Sequence, residues 1–131
     1  MSLLLDTHIW LWSLLEPDRL GPRTRAALEN PDQEKWLSPI SVWETLMLAS
    51  RGRLSLEPGP EAWARTQLSR LPLREAALTM EVAFASQRVR VESADPADRF
   101  LAATALVYGL TLVTADTRLR RIPGVDVLPN L

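Results

Sequence analysis

The sequence contains no cysteine and a single histidine, His8, in 131 residues. Disulfides, thiolate nucleophiles and cysteine-ligated zinc sites are therefore excluded, as is any site that needs two histidines. No apolar stretch is long enough to span a membrane, and the N-terminal segment reaches Asp6 too early for a signal peptide. These absences favour a cytoplasmic enzyme or binding domain that has no membrane partner.

Lysine is also nearly absent: Lys35 is the only lysine, and the other basic residues among the 15 are arginines. Arginine binds phosphate through paired hydrogen bonds, which suits a nucleic-acid surface, although GC-biased codon usage would produce the same excess. The formal net charge of −1 does not by itself indicate a nucleic-acid partner. Codon bias is the favoured explanation for most of these arginines.

Short apolar segments alternate with helical segments along a chain that is 47% hydrophobic. The predicted strands cover residues 2–6, 35–38, 71–73, 110–114 and 125–128. The predicted helices cover residues 7–15, 23–29, 61–70, 75–87 and 95–108, with a further helix that follows residues 38–44 and ends near residue 50. This alternation predicts an α/β fold with a mostly parallel sheet. With no internal repeat or linker, we expect one domain spanning residues 1–131.

Four acidic residues fall where predicted strands give way to helices. Asp6 and Asp116 follow strands, while Glu44 and Asp98 lie in the first turns of helices. Because the carboxyl ends of parallel strands share one edge of a sheet, we expect the four carboxylates to meet there. Clustered carboxylates repel one another unless a cation joins them, and oxygen ligands suit Mg²⁺ or Mn²⁺. Such an ion can activate water and clamp a phosphodiester.

Each acid also has a purely structural explanation, in which its carboxylate caps a helix or a turn. The positions are Asp6 in an Asx-turn, Ser41 with Glu44 as a capping box, Asp95 with Asp98 at a helix start, and Asp116 before the turn at residues 117–119. For any one acid alone, capping is the favoured reading. It is the set of four that indicates a metal site.

Four segments resemble the signature blocks of the PIN-domain family. They are Leu3-Leu4-Leu5-Asp6-Thr7-His8, Ser38-Pro39-Ile40-Ser41-Val42-Trp43-Glu44, Asp95-Pro96-Ala97-Asp98-Arg99-Phe100-Leu101-Ala102-Ala103-Thr104-Ala105 and Leu112-Val113-Thr114-Ala115-Asp116. Their order and spacing are similar to those of VapC-type ribonuclease toxins of bacterial and archaeal toxin–antitoxin pairs. The resemblance runs from Ser2 to the C-terminus and implies a three-layer α/β/α fold. It also implies a Mg²⁺- or Mn²⁺-dependent endoribonuclease with RNA as substrate, a cognate antitoxin as partner, and a homodimer.

The resemblance assigns roles to individual residues. Asp6, Glu44, Asp98 and Asp116 match the acidic quartet of the family. The supporting positions are the hydroxyl residues Thr7 and Thr114, the weaker candidate Ser41, and Asp95, an extra acid of the Asp-Pro-x-Asp-Arg subgroup.

Arginines and aromatic residues are the candidates for contacts with RNA or a partner. The candidates for contact with the RNA backbone lie in predicted loops or turns and are Arg51, Arg53, Arg118, Arg120 and Arg121. Arg99 either pairs with the quartet or meets the scissile phosphate. His8 is either a general base or a structural residue at the helix start, and the structural role is favoured. The tryptophans Trp10, Trp12 and Trp43 are interpreted as core residues or as part of a partner's groove, in preference to stacking on bases. We expect part of the surface formed by Trp10, Trp12, Trp43, Leu46 and Met47 to be a groove for an antitoxin segment.

Other classes fit the sequence less well. A haloacid-dehalogenase-like phosphatase needs a second aspartate where His8 stands, a receiver domain needs a late lysine, and a dinucleotide-binding domain needs a glycine-rich turn after its first strand. A structure-specific DNA nuclease of related fold and a catalytically silent PIN-like binding module stay open as alternatives.

Overall fold

The computed structural model describes residues 2–131, in which short strands alternate with helices. The strands are β1 (Ser2–Leu5), β2 (Glu34–Leu37), β3 (Leu73–Glu75), β4 (Thr111–Thr114) and β5 (Val127–Pro129). The helices are α1 (Thr7–Leu15), α2 (Pro22–Glu29), α3 (Pro39–Ser50), α4 (Pro60–Arg70), α5 (Met80–Ala85) and α6 (Pro96–Tyr108). Short 3₁₀ turns cover Pro17–Arg19 and Thr117–Leu119.

The strands form one parallel sheet in the order β3-β2-β1-β4-β5. The chain builds outward from β1 through β2 to β3, and then returns to the other side of β1 for β4 and β5. The order therefore reverses between β1 and β4. In open parallel sheets a crevice forms outside the carboxyl ends of the strands at such a point.

Both faces of the sheet are buried, which confirms the expected three-layer α/β/α architecture. Leu4 and Leu112 face a core that includes residues of α5 and α6. Leu3, Leu5 and Val113 face the opposite core, which includes residues of α1 and α4. The alternation follows from the pleat, since successive side chains of a strand point to opposite faces. It explains why Leu3, Leu4 and Leu5 of β1, and Leu112 and Val113 of β4, are apolar in succession rather than in alternation.

Two predicted segments near the middle of the chain are wrong. The predicted strand at residues 71–73 lies two residues later, because β3 extends to Glu75 by pairing Leu37 of β2 with Glu75. The predicted helix at residues 75–87 is consequently much shorter. It begins only at Met80, where the Thr79 hydroxyl accepts a hydrogen bond from the N–H of Val82 at 3.2 Å.

Helix α6 begins and ends as its sequence predicts. Asp95 is the N-cap and accepts a hydrogen bond from the N–H of Ala97 at 3.0 Å, and Pro96 occupies the first helical position. Gly109 ends the helix at φ 66°, a left-handed conformation that glycine adopts without a Cβ clash. The cap fixes where the first turn of α6 lies and so places Asp98. Within residues 2–131, no helix has both the length and the apolar character needed to cross a membrane.

Candidate active site

A cleft of about 390 Å³ opens at the carboxyl edge of the sheet, beside the residues that follow β1 and β4. It brings together all the members of the predicted acidic quartet and adds Asp95. The lining residues are Asp6, His8, Trp12, Arg19, Glu44, Asp95, Asp98, Ala115, Asp116 and Arg118. The topology therefore gathers acids that are up to 110 positions apart in the sequence.

Asp6 caps α1 and is held on both oxygens. Its Oδ1 accepts a hydrogen bond from the N–H of Thr7 at 2.7 Å, and its Oδ2 accepts one from the Thr114 hydroxyl at 2.6 Å. Burial of the side chain, which is 8% exposed, outweighs these hydrogen bonds and raises the pKa of Asp6. The carboxylate is thus fixed in orientation and costly to charge without a nearby cation.

Glu44 projects from the second turn of α3 toward α1. The Thr7 hydroxyl donates a hydrogen bond to Glu44 Oε1 at 2.5 Å and lies 3.0 Å from Ser41 Oγ. Burial, and then the charges of neighbouring acids including Asp6, raise the pKa of Glu44 to about 7. Thr7 therefore links two acids of the cleft, since its N–H binds Asp6 and its hydroxyl binds Glu44.

The capping box of Ser41 and Glu44, which was the structural alternative to a site role for Glu44, does not form. Ser38 caps α3 instead, accepting a hydrogen bond from the N–H of Ile40 at 3.0 Å, and Pro39 takes the first helical position. Because the helix starts three residues earlier than a cap at Ser41 requires, Glu44 is free of any capping duty and faces the cleft.

Asp98 is held by a residue that sequence reasoning missed. The hydroxyl of buried Ser93 donates a hydrogen bond to Asp98 Oδ2 and accepts one from the N–H of Asp95 at 3.1 Å. Burial is the main cause of the raised pKa of Asp98, and the charge of Asp6 is a further cause. Ser93 has no sequence signal of its own, since it precedes α6 in an irregular segment.

Asp116 differs from the other acids because a basic side chain, that of Arg118, forms an ion pair with it. Its Oδ1 accepts a hydrogen bond from the N–H of Arg118 at 2.9 Å, which confirms its predicted role as the cap of the turn at Thr117–Leu119. The Arg118 guanidinium also binds both of its oxygens, at 3.1 and 2.7 Å. These hydrogen bonds lower the pKa of Asp116.

The other candidate arginines do not line the acidic cleft. The Nη1 of Arg99 donates hydrogen bonds to the carbonyls of Ser86 and Val89 at 2.9 and 3.1 Å, so its expected pairing with the quartet is wrong, while its expected contact with the scissile phosphate stays a prediction. Arg53 lines a second cleft of about 470 Å³, and Arg51 is exposed beyond both clefts. Arg19, which the sequence did not single out, lines both.

The second cleft adjoins the first and shares His8, Trp12 and Arg19 with it. Its floor is mostly apolar; the remaining lining residues are Leu11, Leu15, Glu16, Leu48, Arg53 and Leu54. Trp10 is only 1% exposed, so of the two preferred alternatives it belongs to the core and not to a partner groove. Trp43, by contrast, is 51% exposed on α3.

The donor chemistry of the acidic cleft fits a hard divalent ion. Its acids supply only carboxylate oxygens, which Mg²⁺ and Mn²⁺ prefer, and the buried ones are costly to ionise without a cation. As the side chains stand, no three acidic or histidine residues among residues 2–131 are positioned to hold one ion together. Binding an ion there therefore requires carboxylates to move toward it.

Comparisons with known proteins agree with this geometry. The model of the PIN domain family matches residues 3–125. Ribonuclease VapC22 of Mycobacterium tuberculosis is 37% identical over 122 residues, which cover 91% of this chain and 90% of that protein.

Solved structures share the fold at lower sequence identity. VapBC2 from Rickettsia felis, bound to a DNA fragment from its promoter, gives a TM-score of 0.74 at 20% identity, covering 98% of each chain. DNA-bound VapBC from Salmonella typhimurium gives 0.70 at 24% identity, covering 100% of this chain and 99% of that one. With the family model matching nearly the whole chain and the acidic quartet gathered at the predicted edge, this chain belongs to the PIN domain family.

Proposed function

We propose that this chain is a metal-dependent endoribonuclease of the VapC type and acts as the toxin of a toxin–antitoxin pair. The observation that carries the proposal is the cleft that gathers Asp6, Glu44, Asp98 and Asp116 at the reversal point of the sheet. A relative 37% identical along 91% of the chain is described as a ribonuclease. We further propose that the chain acts as a single nuclease domain in the cytoplasm, where its RNA substrate is found.

Under this proposal the four acids bind Mg²⁺ or Mn²⁺, and the surrounding donors hold them in place. A bound ion would supply activation of water and neutralisation of the charge that develops on the phosphate. Thr114 orients Asp6, Thr7 orients both Asp6 and Glu44, and Ser41 lies against the Thr7 hydroxyl. Such outer partners fix the direction in which a ligand presents its oxygens.

Asp95 has a supporting role in this scheme. Its carboxylate caps α6 and its N–H binds the serine that holds Asp98. It also lines the cleft, where its charge adds to the raised pKa of Asp98 and of Glu44.

RNA cleavage by the purified chain, freed of any antitoxin, tests the proposal. We expect cleavage of structured RNA with Mg²⁺ or Mn²⁺, its loss in EDTA, and its return when excess metal is added. An Asp6→Asn variant purified in the same way controls for contaminating ribonucleases. Equal cleavage in chelator would contradict the metal requirement, and equal cleavage of DNA of the same sequence would favour the DNA-nuclease alternative.

The second cleft is the proposed site for a segment of the antitoxin. Its apolar floor suits the apolar face of a short helix, and Arg53 and Glu16 at its walls offer charged contacts. Because it shares three lining residues with the acidic cleft, a segment bound there reaches the acids. The solved structures with the same fold include one described as a toxin–antitoxin complex from Klebsiella pneumoniae and one described as a member of the VapBC family of toxin–antitoxin systems from Mycobacterium tuberculosis.

We propose that the chain forms a homodimer through α5. Met80 and Phe84 stand four residues apart on this helix and are 81% and 63% exposed, an unusual apolar exposure that a second copy would cover. We expect Phe84→Glu to give a monomer by light scattering at micromolar concentration while the wild type is a dimer. Glu81→Gln on the same helix is the control. A wild-type monomer, or a dimer that survives Phe84→Glu, would contradict this interface.

A further inference from the structure

Arg118 occupies an unusual position among the cations of the acidic cleft. Its Nη2 lies 2.7 Å from Asp116 Oδ2 and 3.9 Å from Asp98 Oδ2, and its Nε lies 3.1 Å from Asp116 Oδ1. In the part of the chain that the structure describes, no other arginine forms an ion pair with an acid of the cleft. The guanidinium is thus the counter-charge of two members of the quartet.

The oxygens that Arg118 uses are the same ones that a divalent ion would need. Both oxygens of Asp116 accept hydrogen bonds from the guanidinium, so an ion that takes Asp116 as a ligand must displace that fork or share an oxygen with it. The positive charge also repels a second cation at this distance. Arg118 and the ion therefore compete for the carboxylate oxygens of Asp116.

We propose that Arg118 is a built-in competitor of the metal ion, which leaves Asp116 when the ion binds and then contacts the phosphate of the RNA. The second half of this inference rests on the proposed ribonuclease function, whereas the first concerns metal binding alone. The geometry permits the movement, because the Arg118 side chain is 57% exposed and lies on a short turn at the mouth of the cleft. A guanidinium fork released beside the acids matches the oxygens of a phosphate.

Other basic residues near the cleft are less suited to this role. Arg19 lies 4.2 Å over the ring of Trp12 and pairs with Glu16 at 3.1 Å, and Arg99 is bound to main-chain carbonyls. Neither binds an acid of the quartet, so neither changes partner when an ion enters. This leaves Arg118 as the residue through which metal binding and RNA binding are coupled.

The first experiment measures Mn²⁺ binding to the purified chain by calorimetry, without RNA. We expect Arg118→Ala to bind Mn²⁺ at least about fivefold more tightly than the wild type, since the change removes a unit charge that lies 2.7 Å from an oxygen of Asp116 and 3.9 Å from an oxygen of Asp98. Arg118→Lys keeps the charge and should stay close to the wild type. Arg120→Ala removes the same charge two positions further along the chain, outside the cleft lining, and should leave the Mn²⁺ affinity unchanged.

The second experiment measures RNA cleavage at saturating Mn²⁺, where any difference in metal affinity no longer matters. We expect Arg118→Ala to lower kcat/KM by about tenfold or more, through the lost charge-assisted contact with phosphate. Arg118→Lys should recover part of that loss, because an ammonium still attracts phosphate without forming the fork. We therefore expect Arg118→Ala to bind Mn²⁺ more tightly than the wild type and to cleave RNA with a lower kcat/KM.

The outcomes separate this inference from the proposed function. Mn²⁺ affinity that is unchanged or weaker in Arg118→Ala overturns the competition, even if the wild type cleaves RNA normally. Tighter Mn²⁺ binding with undiminished cleavage overturns the contact with phosphate. A wild-type chain that binds no Mn²⁺ and cleaves equally in chelator overturns the proposed metal-dependent function instead.

Discussion

Asp98→Asn should lose most RNA cleavage, on the order of 100-fold or more, whereas Asp95→Asn should keep most of it. Both acids line the cleft, but their side chains are used differently. The Asp95 carboxylate caps α6, a role that asparagine fills equally well. Asp98 directs a buried carboxylate into the cleft and is oriented there by Ser93. Removing a single group that stabilises a transition state has effects of this size.

Thermal unfolding in EDTA provides the second half of the same test. Asp98→Asn should melt at or above the wild type, because the change relieves burial of a charge and its repulsion from Asp6 and Asp116. Asp95→Ala, which cannot cap, should cost about 0.5–2 kcal/mol of stability. If Asp95→Asn abolishes cleavage while Asp98→Asn retains it, the third carboxylate of the quartet has been assigned to the wrong residue.

The positions of the acids could be predicted from the sequence because topology alone fixes them. Asp6 and Asp116 follow parallel strands, and Asp98 lies in the first turn of α6, whose start is marked in the sequence by the N-cap Asp95 and by Pro96. Once the strands are known to be parallel, their carboxyl ends must share an edge. Capping and facing the cleft do not exclude each other, since Asp6 caps α1 and Asp116 caps the turn at Thr117–Leu119 while both line the cleft.

Contacts that depend on side-chain direction could not be predicted in this way. Arg99 follows Asp98 in sequence, but neighbouring residues of a helix point about 100° apart, so it binds carbonyls near α5 instead. Ser93 reaches Asp98 through a loop with no repeating pattern. In α1, apolar residues occur on every side, which hides the fact that Trp10 is buried and Trp12 is only partly so.

Glu44→Gln should stabilise the metal-free protein, and the gain should grow as the pH rises from 5 to 8. The pKa of Glu44 in the folded protein is about 7, above the ordinary value of 4.5, mainly because the side chain is buried. The proton on Glu44 is therefore bound more tightly in the folded state than in the unfolded one. Its contribution to stability is fully present below pH 4.5 and is lost as the pH rises through 7. Glutamine stays neutral at every pH, so the variant does not lose this stability as the pH rises.

In saturating Mn²⁺ the wild type should melt at a higher temperature than Glu44→Gln, the reverse of the order in EDTA. With the ion bound, the Glu44 carboxylate has a partner, so the wild type should gain more in melting temperature than Glu44→Gln does. The measurement is thermal unfolding at pH 5, 6, 7 and 8, in EDTA and in Mn²⁺, with the exposed Glu81→Gln as control. Asp6 and Asp98 also have raised pKa values, so the informative quantity is the difference in melting temperature between wild type and variant at each pH.

Two outcomes would contradict this prediction. A difference in melting temperature that shrinks toward pH 8 in EDTA would show that ionisation of Glu44 does not destabilise the folded protein. A Mn²⁺-induced gain equal in both proteins would remove Glu44 from the metal site and leave the three aspartates to hold the ion.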